Sequence, residues 1–158
     1  MRPHGSVRLA TVEDAVFIAP ILREADRQEC IAALGKTPEQ FLPGSVAMSD
    51  MTFALCAEDG HCIGLFGVST VPGFDGIVGS VWMVATNDLL PYARQFLREG
   101  APWIDRLHER CPVLVNFVDA RNTVHIRWIE WSGFTLLDTR EQYGAAGIPF
   151  ISFAKVKS

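Results

Sequence analysis

Apolar and polar residues along the first part of the chain follow the patterns of a short strand and a long helix. Residues 6–10 predict the strand, and Thr11 predicts the start of the helix because its side chain can cap free N–H groups. The expected apolar face of this helix is Ala15, Ile18, Ile21, Leu22 and Ala25, with its charged residues on the opposite, solvent face. We expect Pro20 to kink or divide the helix and Gly35 to end it.

A second helix and three strands are predicted next. Thr37-Pro38 followed by Gln40 is typical of a capped helix start, and Pro43-Gly44 predicts that this helix is short. Asp59-Gly60 favours a tight hairpin between two apolar runs. The predicted strands are residues 51–57, 62–70 and 77–86, which we expect to form an antiparallel meander.

The next segment predicts a long helix that leads into a buried strand. The helix is expected over residues 88–110, with Asn87 or Asp88 as its cap and a bend at residues 100–102. Residues 112–118 are almost continuously apolar, which is typical of a strand covered on both faces. This strand should pair in parallel with the strand before the helix, through a right-handed crossover.

The end of the chain completes the fold class. A helix is predicted over residues 123–132, ended by Gly133, and strands over residues 134–143 and 149–156. The pattern therefore predicts one α/β domain, of α+β type, over residues 1–158. We expect a mixed, mostly antiparallel sheet of six or seven strands flanked by about four helices.

Composition limits the partners and the compartment. The net charge is −4 and the pI is about 5.5, which argues against sequence-independent nucleic-acid binding. No apolar run approaches the ~20 residues of a membrane span, and residues 1–5 lack the features of a secretion signal. The four cysteines lack C-x-x-C spacing, so we expect them to be buried and reduced, as in a cytoplasm. The four histidines show no spacing typical of a metal site.

One segment carries a resemblance to a known family. Residues 122–134, NTVHIRWIEWSGF, resemble the N-x-x-A-x-x-L-Y-x-K-x-G-F segment of the GNAT superfamily, the acyl-CoA-dependent N-acyltransferases. Asn122 matches the asparagine of that segment, whereas His125 replaces the small residue and Ile129 the tyrosine. The order of predicted elements resembles the family over essentially the whole chain. The resemblance implies the GNAT fold and, in an active enzyme, acetyl-CoA as the donor.

A narrower resemblance points to bacteriophages. The segments VWMVATNDL and NTVHIRWIEWSG are similar to a small family of proteins from short-tailed phages. Those proteins are described as internal virion or core proteins and sometimes as acetyltransferases. The resemblance implies other phage virion proteins as partners, and a location in the cytoplasm of the bacterial host cell or in the virion.

The broader resemblance also places a cofactor site after the strand of residues 77–86. The family has Q/R-x-x-G-x-G/A there, because glycines let backbone N–H groups approach the CoA pyrophosphate. Residues 86–93 contain no glycine, Pro91 lacks an N–H, and Asp88 adds negative charge. The candidate cofactor contacts are the backbone of Val84 and Ala85 and the side chains of Arg94 and Asn122.

The catalytic groups are also altered. Ile129 cannot protonate the departing thiolate, as the tyrosine of the family segment does. Tyr143 is the alternative proton donor, and His125 is a candidate base or acid close to the expected thioester pocket. Residues 77–86 contain no acid and no histidine that would serve as a base.

Two functions follow from these observations. The favoured interpretation is a GNAT-fold phage protein with a degenerate CoA site, no resident cofactor and little or no catalysis, which acts in the virion or in its assembly. The alternative is a divergent acetyl-CoA-dependent N-acetyltransferase that acts on an unknown amine. The fold alone does not choose between them, because function depends on the site.

Overall fold

The computed structural model describes residues 3–158, so the part of the N-terminal prediction that rests on Met1 and Arg2 lies outside the described residues. The described residues form seven strands and six α-helices. The strands are β1 Ser6–Leu9, β2 Met51–Cys56, β3 Cys62–Thr70, β4 Val78–Ala85, β5 Val113–Asp119, β6 Thr135–Tyr143 and β7 Ile148–Val156. The helices are α1 Val12–Ile18, α2 Glu24–Leu34, α3 Pro38–Met48, α4 Ala93–Arg98, α5 Ala101–Arg110 and α6 Thr123–Trp131. Two 3-10 segments, Ala19–Ile21 and Asn87–Tyr92, precede α2 and α4.

All seven strands lie in one sheet, in the order β1-β2-β3-β4-β5-β7-β6. Strands β4 and β5 pair in parallel, and every other neighbouring pair is antiparallel. The predicted fold class, the meander and the parallel crossover pairing are therefore confirmed. Six helices replace the expected four because the chain breaks after Ile18 and after Arg98.

The parallel pair β4–β5 opens along its length. Its register contains three residue pairs, of which the last is Ser80↔Val115. Strand β4 continues five residues further to Ala85, and β5 continues to Asp119 while it remains paired with β7. The two strands therefore splay apart towards their carboxyl ends, and we call this gap the splay.

Each face of the sheet carries its own apolar core. Helices α1, α2 and α3 pack on one face, against Ala54, Leu65 and Val84. Helices α5 and α6 pack on the other face, against side chains that include Val81 and Leu114. The splay therefore lies between two covered faces, where an unpaired strand edge is shielded from water.

Local capping chemistry explains most helix boundaries. Thr11 and Thr37 each form a reciprocal capping box, the first with Asp14 and the second with Gln40. Gly35 ends α2 with φ 69°, a left-handed conformation that other residues adopt only with strain. These predicted starts and stops are confirmed.

Three local predictions are wrong. Helix α3 runs through Pro43 to Met48, because the fully buried Leu42 anchors it to the core and outweighs the missing N–H. The segment after β4 is a 3-10 helix before it becomes α4, and its cap is Thr86 instead of Asn87 or Asp88. Ile21, expected in the core, is 46% exposed because the 3-10 turn at residues 19–21 rotates it outward.

The cysteines are buried and none forms a disulfide, as predicted. Burial raises the pKa of Cys30 and of Cys62 to about 12, so these thiols are unreactive at neutral pH. Within residues 3–158, no helix has both the length and the apolar character needed to cross a membrane.

A substitution at Gly79 tests how closely the chain is packed where β4 and β5 begin to pair. A Cβ at this position would lie 2.6 Å from Val68 Cγ2 and 2.9 Å from Cys111 Sγ. We predict that Gly79→Ala lowers the free energy of unfolding by about 1–3 kcal/mol, as overpacked cores do. Gly44→Ala is the control, because Gly44 lies in α3 with no neighbouring atom within 4 Å of its added Cβ. Urea unfolding should show the control unchanged or more stable, and equal effects of the two substitutions would contradict this account.

Candidate functional site

A buried carboxylate closes the wide end of the splay. Asp26 on α2 is 4% exposed, and its Oδ2 accepts the N–H of Ala85 at 2.9 Å. Its Oδ1 accepts the side-chain amide of Asn122 at 2.9 Å and Arg23 Nη1 at 3.1 Å. One side chain therefore connects the end of β4 to the start of α6.

Glu29, one turn further along α2, binds the end of β5. Its Oε1 accepts the N–H of Asp119 at 3.0 Å and the amide of Asn122 at 3.4 Å. Its Oε2 lies 3.4 Å from His125 Nδ1, within ion-pair distance but without hydrogen-bond geometry. The sequence pattern predicts that the charged residues of this helix face solvent, and for Asp26 and Glu29 that prediction is wrong.

His125, a predicted catalytic residue, lies in the first turn of α6 beside this pair of carboxylates. Its side chain is 14% exposed, and its backbone N–H is capped by Asn122. Burial disfavours the charged ring, but the neighbouring Glu29 and then Asp26 more than offset that cost, so the pKa of His125 is raised. The ring is therefore suited to hold a proton near neutral pH.

The backbone of β4 shows which N–H faces the splay. Ile77 O accepts the N–H of Val113, Val81 O accepts Asn116 Nδ2, and Ala85 N–H donates to Asp26, so these alternate residues all face β5. Met83 is in phase with them and has no paired residue on β5. Its backbone N–H therefore points into the gap.

Two predicted backbone contacts need correction. Ala85 N–H is already taken by Asp26. Val84 is in phase with Thr86, whose N–H donates to Ile63 of β3, so the backbone of Val84 faces the neighbouring strand and not the splay. The group available to polarise a carbonyl is the N–H of Met83, which sequence analysis missed because it depends on the register of β4.

A cavity of about 1220 Å³ passes through the splay. It is lined by residues 81–84 of β4 and by Asn116 and Phe117 of β5. On one face its wall comes from α2 and α3, and on the other from α4, α5 and α6. At Asp26 and Ala85 a second, smaller space of about 30 Å³ opens, and Met83 lines both this space and the large cavity.

Tyr143, the other predicted catalytic residue, lines the same cavity. Its ring stacks on Phe117 at 4.4 Å and contacts Phe150 at 4.8 Å between ring centroids. Burial raises the pKa of Tyr143, which keeps its hydroxyl protonated at neutral pH. The structure therefore brings Tyr143 and His125 to one cavity.

The segment after β4 offers little to a phosphate. Thr86 N–H donates to Ile63 O, Asp88 N–H to the Thr86 hydroxyl and Leu89 N–H to Thr86 O. Asp88 Oδ2 lies 3.3 Å from His61 Nε2, so an acidic side chain stands at this end. The N–H groups of Thr86, Asp88 and Leu89 are thus engaged within the protein.

The remaining sequence-predicted residues have separate locations. Arg94 is exposed and does not line the cavity. Asn122 is 2% exposed, with its amide bound to Asp26 and Glu29, so it holds the site together from behind. Ile129 is buried in the apolar core, whereas Trp131, further along the same helix, is 70% exposed.

Several solved structures are similar in fold to this chain. The ribosomal-protein-S5-alanine acetyltransferase from Vibrio fischeri is 20% identical with a TM-score of 0.68, over 98% of this chain and 94% of that one. A GNAT-family acetyltransferase from Streptococcus pneumoniae is 19% identical with a TM-score of 0.63, over 98% and 100%. An aminoglycoside acetyltransferase in complex with coenzyme A is 18% identical with a TM-score of 0.67, over 97% and 95%.

The chain therefore has the fold of the GNAT acetyltransferases, as the resemblance of residues 122–134 implied. No protein-family model matches the chain, and no curated protein matches its sequence. At these identities the likeness concerns the fold, and the chemistry has to be argued from the site.

A substitution at Asp26 tests whether this carboxylate stabilises the wide end of the splay. We predict that Asp26→Ala lowers the free energy of unfolding by about 3–5 kcal/mol. It leaves Arg23 and the Ala85 N–H without their buried acceptor and removes the shorter of the two bonds of the Asn122 amide. Glu24→Ala in the same turn removes an exposed carboxylate and should change stability by less than about 0.5 kcal/mol. Chemical denaturation measures both, and a loss below about 1 kcal/mol for Asp26→Ala would contradict this role.

The pair His125–Glu29 predicts a pH dependence of stability. A histidine whose pKa is higher in the folded than in the unfolded chain adds stability that is fully present below its unfolded pKa of about 6.5. That contribution is lost as the pH rises through the raised folded pKa. The stability advantage of the native protein over His125→Gln should therefore be larger at acidic than at alkaline pH. In a Glu29→Gln background this pH dependence should disappear, and its persistence there would show that another group is responsible.

Proposed function

We propose that this chain binds an acyl thioester by its pantetheine arm in the splay and transfers the acyl group to an amine. The observation that carries the proposal is the cavity that runs through the sheet between β4 and β5. A channel across a sheet suits an extended arm that approaches from one face and an acceptor that approaches from the other. The solved acetyltransferases of the same fold, one of them with bound coenzyme A, support this assignment.

The arm and the nucleotide of CoA fit this chain differently. The cavity has the volume and the mainly apolar walls that suit the arm, and Met83 offers an unpaired backbone N–H and C=O beside it. In the segment Asn87–Tyr92 the N–H groups of Asp88 and Leu89 are bonded to Thr86, Pro91 has no N–H, and Asp88 adds negative charge. Binding energy should therefore come from the arm, and the nucleotide should add little.

A thioester bound in the splay supplies an electrophilic carbonyl carbon, which an amine attacks to form a C–N bond as the C–S bond breaks. The N–H of Met83 is positioned to donate to the carbonyl oxygen as negative charge develops there. Because the N–H is fixed by the pairing of β4 with β3, it needs no reorganisation during the reaction.

The proton balance assigns roles to the buried pair. The acceptor enters as an ammonium ion and loses two protons, of which one goes to solvent and one ends on the thiol sulfur. His125, kept protonated by Glu29, donates that second proton to the sulfur. Glu29 receives a proton from the amine and returns it to His125. Tyr143 is the second acid in the cavity, since its hydroxyl stays protonated.

Donor binding tests the proposal. We predict by calorimetry that acetyl-CoA and S-acetylpantetheine bind with dissociation constants within about threefold of each other, because both present the same arm. Adenosine 3′,5′-bisphosphate, the nucleotide half of CoA, is the control and should not bind. Binding of the nucleotide half alone, or failure of S-acetylpantetheine to bind at millimolar concentration, would contradict the proposal.

A second candidate is a non-catalytic role in a phage particle or in its assembly, inside the infected bacterial cell. The observation that favours it is Asp26, which occupies the Ala85 N–H, together with Ile129 in place of a tyrosine. This candidate predicts no donor binding and a fixed copy number of the chain in purified particles, measured by quantitative mass spectrometry. Donor binding with acyl transfer to an amine would exclude a purely structural role.

A further inference from the structure

Part of the cavity lies on the α2–α3 face of the sheet, opposite the face on which α4, α5 and α6 lie. We call this part of the cavity the chamber. It is lined by Glu29, Ala33, Phe41, Ser45, Trp82 and Tyr143. An acceptor that reaches Met83 from this face has to pass through the chamber, so its walls determine which amines are admitted.

The polar groups of Ser45, Ser49, Ser69 and Trp82 bind one another or the backbone. Ser45 Oγ donates to Phe41 O at 3.2 Å, and Trp82 Nε1 donates to Ser49 Oγ at 3.1 Å. The hydroxyls of Ser49 and Ser69 are 3.0 Å apart. A polar acceptor would have to break these bonds, whereas an apolar body would lie against ring faces and methylene groups.

The floor of the chamber is aromatic. Tyr143 stacks on Phe117 and contacts Phe150, and Arg140 covers the Phe117 ring at 5.9 Å. The three rings form a continuous apolar surface beside the splay. A flat or aliphatic group gains contact area on such a surface with little loss of its own freedom.

The charge of the chamber is limited to one acid. Among the described residues that line the cavity, the carboxylates are Glu29 and Glu99, and Glu99 lies on the opposite face, between α4 and α5. Lys36, exposed at the rim, adds positive charge. One ammonium group therefore finds a partner in Glu29, which also lies beside His125. A second would meet apolar walls, Lys36 or the protonated His125.

Resting on the proposed function, we infer that the acceptor is a primary monoamine on an aromatic or aliphatic body. Its ammonium group is directed to Glu29, and its body lies between Phe41, Trp82 and the floor that contains Tyr143. Polyamines and other polycations are excluded because their further charges would be buried without a counter-ion.

The test uses acyl transfer from saturating S-acetylpantetheine to two acceptors, 2-phenylethylamine and spermidine. For the native protein, kcat/KM should be at least about tenfold higher for 2-phenylethylamine. Ser45→Asp adds a second carboxylate to the chamber, and we expect it to shift the ratio towards spermidine by about tenfold. Ser45→Asn is the matched neutral control and should leave the ratio unchanged.

The outcomes separate the two claims. A native preference for spermidine, or a ratio unchanged by a folded Ser45→Asp variant, overturns the acceptor inference. Donor calorimetry on the same preparations shows whether the variant keeps its site, and if it does not fold, the native preference alone decides. Donor binding without transfer to 2-phenylethylamine also overturns this inference, whereas absence of donor binding overturns the proposed function beneath it.

Discussion

The buried carboxylate of Asp26 is the interaction on which the rest of the site depends. When β4 and β5 part after three paired residues, their backbone groups lose their partners inside the protein, where an unpaired N–H or C=O is costly. Asp26 accepts the N–H at the end of β4 and the amide at the start of α6, and Asn116 donates to Val81 O nearer the paired end. Between these two side chains, Met83 is left facing the gap. The splay is thus held open at defined points.

This arrangement links stability to chemistry. Because Asp26 occupies Ala85 N–H, the position at which a carbonyl can be polarised moves two residues back along β4, to Met83. The same carboxylate contributes to the field that keeps His125 protonated, although Glu29 contributes more. A change at Asp26 would therefore affect the fold, the gap and the proton donor together. A substitution at Glu29 would affect the proton donor without removing a hydrogen bond from the end of β4.

Local chemistry made the fold predictable and left most of the site unpredictable. The capping boxes, Gly35 and the Asp59-Gly60 turn act within a few residues, so the sequence marks them directly. The core of the site is formed by residues about 90 positions apart: Glu29 with Asp119, and Asp26 with Asn122. Spacing along one helix cannot reveal such a contact, which is why both acids were assigned to solvent. The prediction that Pro43 ends α3 is wrong for a related reason, because the burial of Leu42 is a tertiary effect.

The central claim is that the splay receives a thioester arm at Met83, and selective ¹⁵N labelling of the four methionines tests it most directly. In a titration with S-acetylpantetheine, the amide resonance of Met83 should shift in a saturable manner. Met51 lies in β2, paired with β3 and outside the cavity lining, so its resonance should stay in place and serve as the internal reference. An unchanged Met83 resonance at millimolar ligand, or equal shifts of Met83 and Met51, would contradict the account.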